Sequence, residues 1–494
     1  MTMPTSLVVT LLPIDDRPVN TTDVAALADI SGVDLRLPPT ELLPPQGEPS
    51  DRDGLGRWLR ESAAESDAVV VSINQLAYGG YVASRRTTEA TMPILERLGL
   101  LRSVRAEYPE LPIHGFMTLM RTRQRNGSGA EPHYCEHHGA DIFALSRELY
   151  LREHNQPDEV ERRRGAVPEE YVTDFMTRRM RLHTVHLACL DLALDRTLDT
   201  FWILVEDSTV QSVSTSEREW ITAWIDRLGL ADRVTCLPGA DEAGGSLLIR
   251  SILGLHGRRP KVLLECAATD GLDRIALYED VPVRDTVEQQ IAMAGAELVA
   301  EAGEADLVLA LHPPAEPARD WCWSEDSDDQ SEVEPLIARI DEHRRQGRPV
   351  AVADAAHANG ADPSLIRALR EGQVLEDLAG YAGWNTAGNS IGSALAQGLA
   401  HLVGGGRFRE PQRRSLTRRL LDDWAYQTIA RRPLLQGASL DAGETENRLM
   451  AAHAELGLPA DYPVIRPGST RFPWDRSFEI AFDLVQPNAK ALPQ

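Results

Sequence analysis

Short runs of β-branched and leucine residues recur along the chain, separated by longer stretches in which apolar positions return every three or four residues. Parallel strands joined by crossover helices produce this alternation, because both faces of each strand are covered and the chain must travel back along the sheet before the next strand begins. Leu7 to Leu12, Val69 to Ile73, Ile113 to Thr118 and Phe201 to Val205 read as strands, as do Val234 to Leu237, Val262 to Cys266, Leu307 to Leu311 and Val350 to Ala353. Val33 to Leu37 and Leu378 to Ala382 are weaker candidates. The clearest helix runs from Tyr171 to about Asp195, with Val172, Phe175, Met176, Leu182, Val185, Leu190 and Leu194 at helical spacing. The fold class is α/β with a mainly parallel sheet. Eight firm strands favour a (β/α)8-like barrel over a doubly wound open sheet, although the full ten fit a barrel less neatly.

Gly404, Gly405 and Gly406 end the strand-helix pattern, and a basic stretch with Arg407, Arg409, Arg413, Arg414, Arg418 and Arg419 follows. We expect residues 1–405 to form an α/β catalytic domain and residues 406–494 a mainly helical accessory region. Ser324 to Glu334 carries six carboxylates and reads as a solvated loop before a helix.

Composition narrows the partners. The 494 residues include 75 Asp and Glu against 51 Lys and Arg, a formal charge of -24 that repels nucleic-acid phosphates and anionic lipid. Cys135, Cys189, Cys236, Cys266 and Cys322 form no CxxC pair and read as reduced thiols. Met1 to Leu12 lacks the basic and apolar regions of a secretory signal, and no window approaches the roughly 18 apolar residues of a membrane span, so a cytoplasmic location is expected. Walker, GxSxG and GxGxxG signatures are missing where they would have to stand, and no cofactor is expected. His133, Cys135, His137 and His138 do not have the spacing of a zinc site.

Polar motifs follow the predicted strands directly, at the end where parallel α/β folds build their sites. After the first strand come Asp15, Asp16, Arg17 and Asn20; after the second, Asn74 and Tyr78 ahead of Gly79-Gly80; after the third, Arg121 and Arg123. Glu206-Asp207 and Asp241-Glu242 repeat the paired-acid arrangement. Carboxylates converging on one cleft separate each other's pKa values, so that one stays protonated as a general acid while another serves as base or nucleophile. Asp207, Asp241, Glu242 and Asp16 are the expected catalytic acids. Asp15, Arg17, Asn20, Asn74, Tyr78, Arg121, Glu206 and Asp354 are expected to bind substrate, with Trp384, Asn385 and Asn389 as an aromatic platform and amide donors for a sugar. The same acids could instead hold a divalent cation, with His357 as a further ligand, or cap helices.

At Leu12-Pro13-Ile14-Asp15-Asp16-Arg17-Pro18-Val19-Asn20, Leu76-Ala77-Tyr78-Gly79-Gly80-Tyr81-Val82-Ala83-Ser84-Arg85, Pro238-Gly239-Ala240-Asp241-Glu242 and Gly383-Trp384-Asn385-Thr386-Ala387-Gly388-Asn389 the chain resembles a bacterial family catalogued as a domain of unknown function, number 4127. The resemblance implies one shared design over residues 7–400 and brings no activity with it. The family pattern often has aspartate where Asn74 stands and Asp-Asp at Glu206-Asp207, which makes Asn74 a poor acid or metal ligand. The leading expectation is a glycoside hydrolase or related sugar-processing hydrolase acting on a small carbohydrate. Its rivals are a metal-dependent hydrolase or lyase and a non-catalytic sugar-binding protein.

Overall fold

Alternate residues of the strands face two different cores. In the computed structural model, which describes residues 6–43, 48–268, 270–323 and 332–487, Val9 and Leu11 point to one side of the first strand and Leu12 to the other. Six strands, β1 (Val8–Leu12), β2 (Asp34–Arg36), β3 (Ala68–Ser72), β4 (Ile113–Leu119), β5 (Thr200–Val205) and β6 (Val234–Pro238), form a parallel sheet in the order β2-β1-β3-β4-β5-β6. The chain then builds a second parallel sheet from β7 (Lys261–Cys266), β8 (Glu297–Val299), β9 (Leu307–His312), β11 (Val350–Asp354) and β13 (Gly380–Ala382), in the order β13-β11-β9-β7-β8. Between these lie the small parallel pair β10 (Arg319–Asp320) and β12 (His357–Ala358). β14 (Val464–Ile465) and β15 (Leu484–Val485) pair antiparallel near the C-terminus.

The sheets are open, which corrects the barrel expectation. Each first strand is flanked on one side by the second strand of its sheet and on the other by the third, so successive strands do not add to a single edge and close. The edges explain why the pattern was faint there: β2 and β8 are three residues each and partly exposed. The β8 strand was not anticipated. All ten anticipated strands are present, and the long helix spans Glu169–Leu194.

Read in order of appearance, both sheets share one arrangement: second, first, third, fourth, fifth, with β6 added to the first sheet. Helices Thr22–Ser31, Ala243–Leu255, Val283–Met293 and Ala387–Gly404 fill the space between the two sheets, in one core with Leu11, Trp202, Leu309 and Ala353. The outer face of the first sheet packs on helices that include Arg52–Ala63 and Glu169–Leu194. The outer face of the second takes Leu416, Leu420, Trp424, Leu449 and Phe482, so the residues after 405 complete that core. Ser324 to Gln330 and Ser331, most of the acidic stretch singled out above, lie outside the described residues.

Helix Ala387–Gly404 lies close against the second sheet at Gly398, where a Cβ would stand 2.9 Å from both methyls of Leu307 and 3.0 Å from the Ala351 Cβ. Neither neighbour can retreat from a packed sheet face, so Gly398→Val is expected to lose about 1–3 kcal/mol of stability. A lower denaturant midpoint with an unchanged slope would register it.

Candidate functional site

In the first sheet the chain leaves β1 through helix Thr22–Ser31 on the inner face and leaves β3 through helices Ile73–Tyr78 and Thr91–Glu107 on the outer face. The carboxyl ends of β1 and β3 therefore open a crevice between diverging connections, the position at which open parallel sheets bind ligands. Asp15, Asp16, Gln75, Gly80, Tyr81 and Trp474 line that crevice. Gly79, with φ +83°, is required there because a Cβ would meet the Ser50 amide nitrogen at 2.9 Å.

Arg17 is the centre of the arrangement. Its side chain is 3% exposed and reaches three carboxylates: Asp15 through Nε at 2.8 Å, Asp241 through Nη2 at 2.6 Å and Glu479 through Nη1 at 3.0 Å. Burial pulls its pKa down, but Asp15, Asp241 and Glu479 together hold it well above the ordinary arginine value. The loop after edge strand β6 crosses back over the sheet to bring Asp241 here, and Asn385 Nδ2 donates to the same carboxylate at 3.0 Å. Asn389 Oδ1 accepts the Asp241 amide at 2.9 Å, and Asn20 Nδ2 donates to Asp15 at 2.8 Å. Residues from both sheets and from the C-terminal segment thus close around one guanidinium.

A layer of rings and further guanidiniums extends from it across the sheet. Arg17 lies 5.8 Å from the centre of the Tyr81 ring and Arg85 4.0 Å from it. Arg85 pairs with Glu131 and Glu206; Arg121 pairs with Glu131, Glu206 and Asp207. Burial opposes ionisation of Glu206, yet Arg85 and Arg121 outweigh it and hold the carboxyl below its usual range. Asp207, 30% exposed, goes the other way: burial pushes its pKa up against the pull of Arg121. Asp16 is also raised, chiefly by burial and further by the neighbouring Asp15 charge, while the Trp474 indole N–H donates to its Oδ1 at 2.8 Å.

Nine non-glycine residues take positive φ among the described residues. Asn155, Arg196 and Gln373 follow helix ends; Asp207, Tyr278, Asn359, Asn385, Trp474 and Asp475 are in loops at or beside this end of the sheets. Left-handed backbone at such residues is disfavoured, and such strain collects where the surroundings impose a working geometry.

Some expected site residues lie elsewhere. Asn74 is fully buried and ties Ser84, Thr118 and the Thr118 amide together. Tyr78 points into the outer core of the first sheet, because the helix Ile73–Tyr78 turns it away from the crevice. Glu242 folds back to accept the Ala240 amide and Gln290, and burial lifts its pKa to about 7. Asp354 belongs to a separate buried group on the second sheet, with the Tyr381 hydroxyl at 3.3 Å, a register partner in His312, and a pKa lifted by burial to about 7. Trp384 is 4% exposed and its ring is 5.4 Å from Phe478, so the C-terminal segment occupies the face expected for a sugar. Asp15, Asp16, Arg17, Asn20, Arg121, Glu206, Asp207, Asp241, Asn385 and Asn389 do come together, directly or through shared partners. Tyr81, Arg85, Glu131, Trp474 and Glu479 were not anticipated; Tyr81 and Arg85 stand in the glycine-containing motif, while the last two lie in an aperiodic tail. Among the described residues, no group of three or more His, Cys, Asp and Glu side chains is placed to hold a metal ion.

A family model described as "Protein of unknown function (DUF4127)" matches residues 9–483. The chain belongs to this family. The match takes in β1 and the tail carrying Glu479, so the family is defined over both parts of the site. No curated protein matches the chain. No helix among the described residues is long and apolar enough to cross a membrane.

Two expectations follow. Arg17→Met strands the buried carboxylates of Asp15 and Asp241, while Glu479 keeps Arg476, and should lower stability by about 3–5 kcal/mol at neutral pH. Stranded acids have raised folded pKa values, so the deficit should shrink as pH falls and they take up protons; denaturant melts at pH 5 and pH 8 would show it. Glu279, which accepts the Gly388 amide at 2.6 Å and the Thr286 hydroxyl at 3.3 Å, has its pKa lifted by burial to about 7 from the usual 4.5. A raised folded pKa gives stability that is present below the unfolded value and lost as pH climbs through the folded one. Glu279→Gln keeps both contacts without the titration, so its melting temperature should fall less between pH 5 and pH 8 than that of the parent.

Proposed function

We propose that the chain is a hydrolase of a small polyhydroxylated substrate, glycosidase-like in its chemistry, working along the carboxyl-end rim from β1 to β5 with Asp16 as its acid and Asp207 as its base or nucleophile. The supporting observation is a contrast among the rim carboxylates. Asp15, Glu206, Asp241 and Glu479 are locked into guanidinium pairs; Asp16 is instead met by the Trp474 indole, Asp207, though paired with Arg121, is 30% exposed, and both have pKa values raised above the ordinary range. A carboxyl that keeps its proton nearer neutrality is suited to protonate a leaving oxygen, and a second held anionic is suited to activate water or attack.

In this reading Asp16, beside the charged Asp15 and steadied by Trp474, is the general acid. Asp207, in contact with Arg121, is the base or nucleophile. Asp241 and Glu242 move from catalytic to supporting roles: Asp241 anchors Arg17, and Glu242 braces the turn before its helix. Asn20, Asn385 and Tyr81 surround the same ion pairs and supply polar edges for hydroxyl recognition. The metal-dependent alternative has no donor set to rest on among the described residues. A sugar-binding protein without turnover remains the rival, and the same assay separates the two.

Aryl glycosides and unmodified oligosaccharides would be offered to the purified protein, with released product and bound sugar measured together. Asp16→Asn and Asp207→Asn should each lower kcat/KM by about 10²-fold or more while moving the melting temperature little, since both side chains are partly solvated. Saturable sugar binding with no turnover in the parent would replace the hydrolase with the binding protein. Full activity in both variants would remove the proposed acid pair.

A further inference from the structure

Helix Glu169–Leu194 is apolar on two opposite faces. Val172, Phe175, Leu182, Val185 and Cys189 enter the outer core of the first sheet and account for one of them. On the other, Thr173, Met176, Thr177, Met180, Thr184 and Leu187 return at three- and four-residue spacing, with Met176 39% and Met180 66% exposed. None of these six is charged. Two of the threonine hydroxyls are already used by the helix itself: Thr177 Oγ1 donates to the Thr173 carbonyl at 2.7 Å and Thr184 Oγ1 to the Met180 carbonyl at 2.8 Å. The charged residues of the same stretch are turned aside. Arg178 pairs with Asp174, Arg179 pairs with Glu217, and Arg181 donates to the Thr87 carbonyl at 2.7 Å. A surface helix is ordinarily polar on its outer side, and one that is apolar all round is ordinarily buried. Helix Cys135–Glu153 follows the ordinary rule, exposing Glu136, Arg147, Arg152 and Glu153.

The neighbouring helix Val213–Leu228 widens the face. Arg179 pairs with Glu217 and the His183 ring lies 5.8 Å from Trp220, so the two helices run side by side in the same direction and Trp224 falls level with Leu187. Trp220 and Trp224 are each 43% exposed. Both rings are anchored: the Trp220 indole N–H donates to Glu153, and Arg227 stands 5.6 Å from the centre of the Trp224 ring. Burial holds the His183 pKa below the ordinary histidine value, so this ring adds no charge at neutral pH. Residues 173–188 and two helix widths make a face of about 24 Å by 20 Å. Two such faces in contact cover about 1,000 Å2, the size at which a specific interface becomes stable. Methionine and tryptophan are also the side chains that collect at the centres of such interfaces.

Charge selects the occupant. In a chain with a net charge of -24, a cationic partner would be recognised through carboxylates, and the centre of this face offers none. A second copy is repelled over most of its surface and can approach only where charge does not face like charge. The face is also self-complementary. A copy turned by 180° about an axis across the helix at Met180 runs antiparallel to the first, which sets Met176 against Thr184 of the partner subunit and Thr173 against Leu187 of the partner subunit. A longer side chain meets a shorter one at each level. We propose that the chain forms a two-fold dimer through this face, with helix Glu169–Leu194 packed antiparallel on its own copy and the two tryptophans of each copy flanking the contact. The proposal is independent of the hydrolase reading, because the face lies on the outer side of the first sheet and takes no residue from the rim around Arg17.

Sedimentation velocity on the full chain tests it. A species of twice the chain mass is expected at micromolar concentration. Met180→Glu brings two like charges together on the axis and should weaken association at least tenfold, as should Met176→Glu. Adding Thr184→Lys to Met176→Glu should restore most of the loss, since these positions face each other across the dimer. Met450→Glu, at an exposed methionine on the outer side of the second sheet, should leave association unchanged, and all four variants should melt near the temperature of the parent. A parent that stays monomeric or forms species larger than a dimer, association of Met180→Glu as tight as that of the parent, no recovery in the double variant, or equal loss in Met450→Glu would each overturn the assignment.

Discussion

A guanidinium cannot shed its proton inside a protein, so burying Arg17 obliges the fold to bring anions to it. They come from three distant places: the loop after β1, the turn after edge strand β6 and the segment near the C-terminus. Much of the local architecture follows. The turn at Asp241 must cross the end of the sheet, Asn385 must adopt its left-handed backbone to donate to the same carboxylate, and Trp474 is drawn over Arg17 at 5.1 Å and onto Asp16. Such a buried cluster adds little net stability compared with well-packed apolar residues, but it penalises every arrangement that leaves one member unpaired. Here it fixes how the two sheets and the tail meet.

The alternating ion pairs beyond Arg17 continue the same logic towards Asp207. Arg85 and Arg121 share Glu131 and Glu206, so each charge has a partner on either side. The few carboxyls outside this accounting are therefore conspicuous. Glu242 and Glu279 are buried away from cations and Asp354 has His312 beside it, yet burial draws all three towards neutrality as they brace backbone amides. Asp16 and Asp207 alone among the anticipated catalytic acids combine a raised pKa with partial exposure.

The strands were legible in the sequence because strands covered on both faces need unbroken apolar runs, as in Val69-Val70-Val71 and Leu307 to Leu311. Their order was not, since a barrel strand and a central strand of an open sheet carry the same residues. The distinguishing information lay in the weak edges: Asp34 and Arg36 in β2 and Glu297 in β8 mark strands with nothing beyond them. Strand ends led to Asp15 to Asn20, Arg121, Glu206-Asp207 and Asp241, which the fold connects through the guanidiniums of Arg17, Arg85 and Arg121. The same rule misplaced Tyr78, because β3 passes at once into a short helix that rotates the ring into the core. Glu479 and Trp474 could not be found in this way, for they reach the site from a tail with no period to betray its contacts.

Arg17 and Glu479 are 462 residues apart, and this separation acquires a meaning when the chain is considered as something made in order. At a ribosomal pace of about 5–20 residues per second, Arg17 leaves the tunnel roughly 20–90 seconds before its last counter-charge has been polymerised. Through that interval the first sheet can collapse, but its central cation still lacks Glu479 and Asp16 still lacks the Trp474 indole. The finished crevice therefore waits on the last segment of the site to be made. Nascent chains would carry the acids of the site long before they carry the site itself.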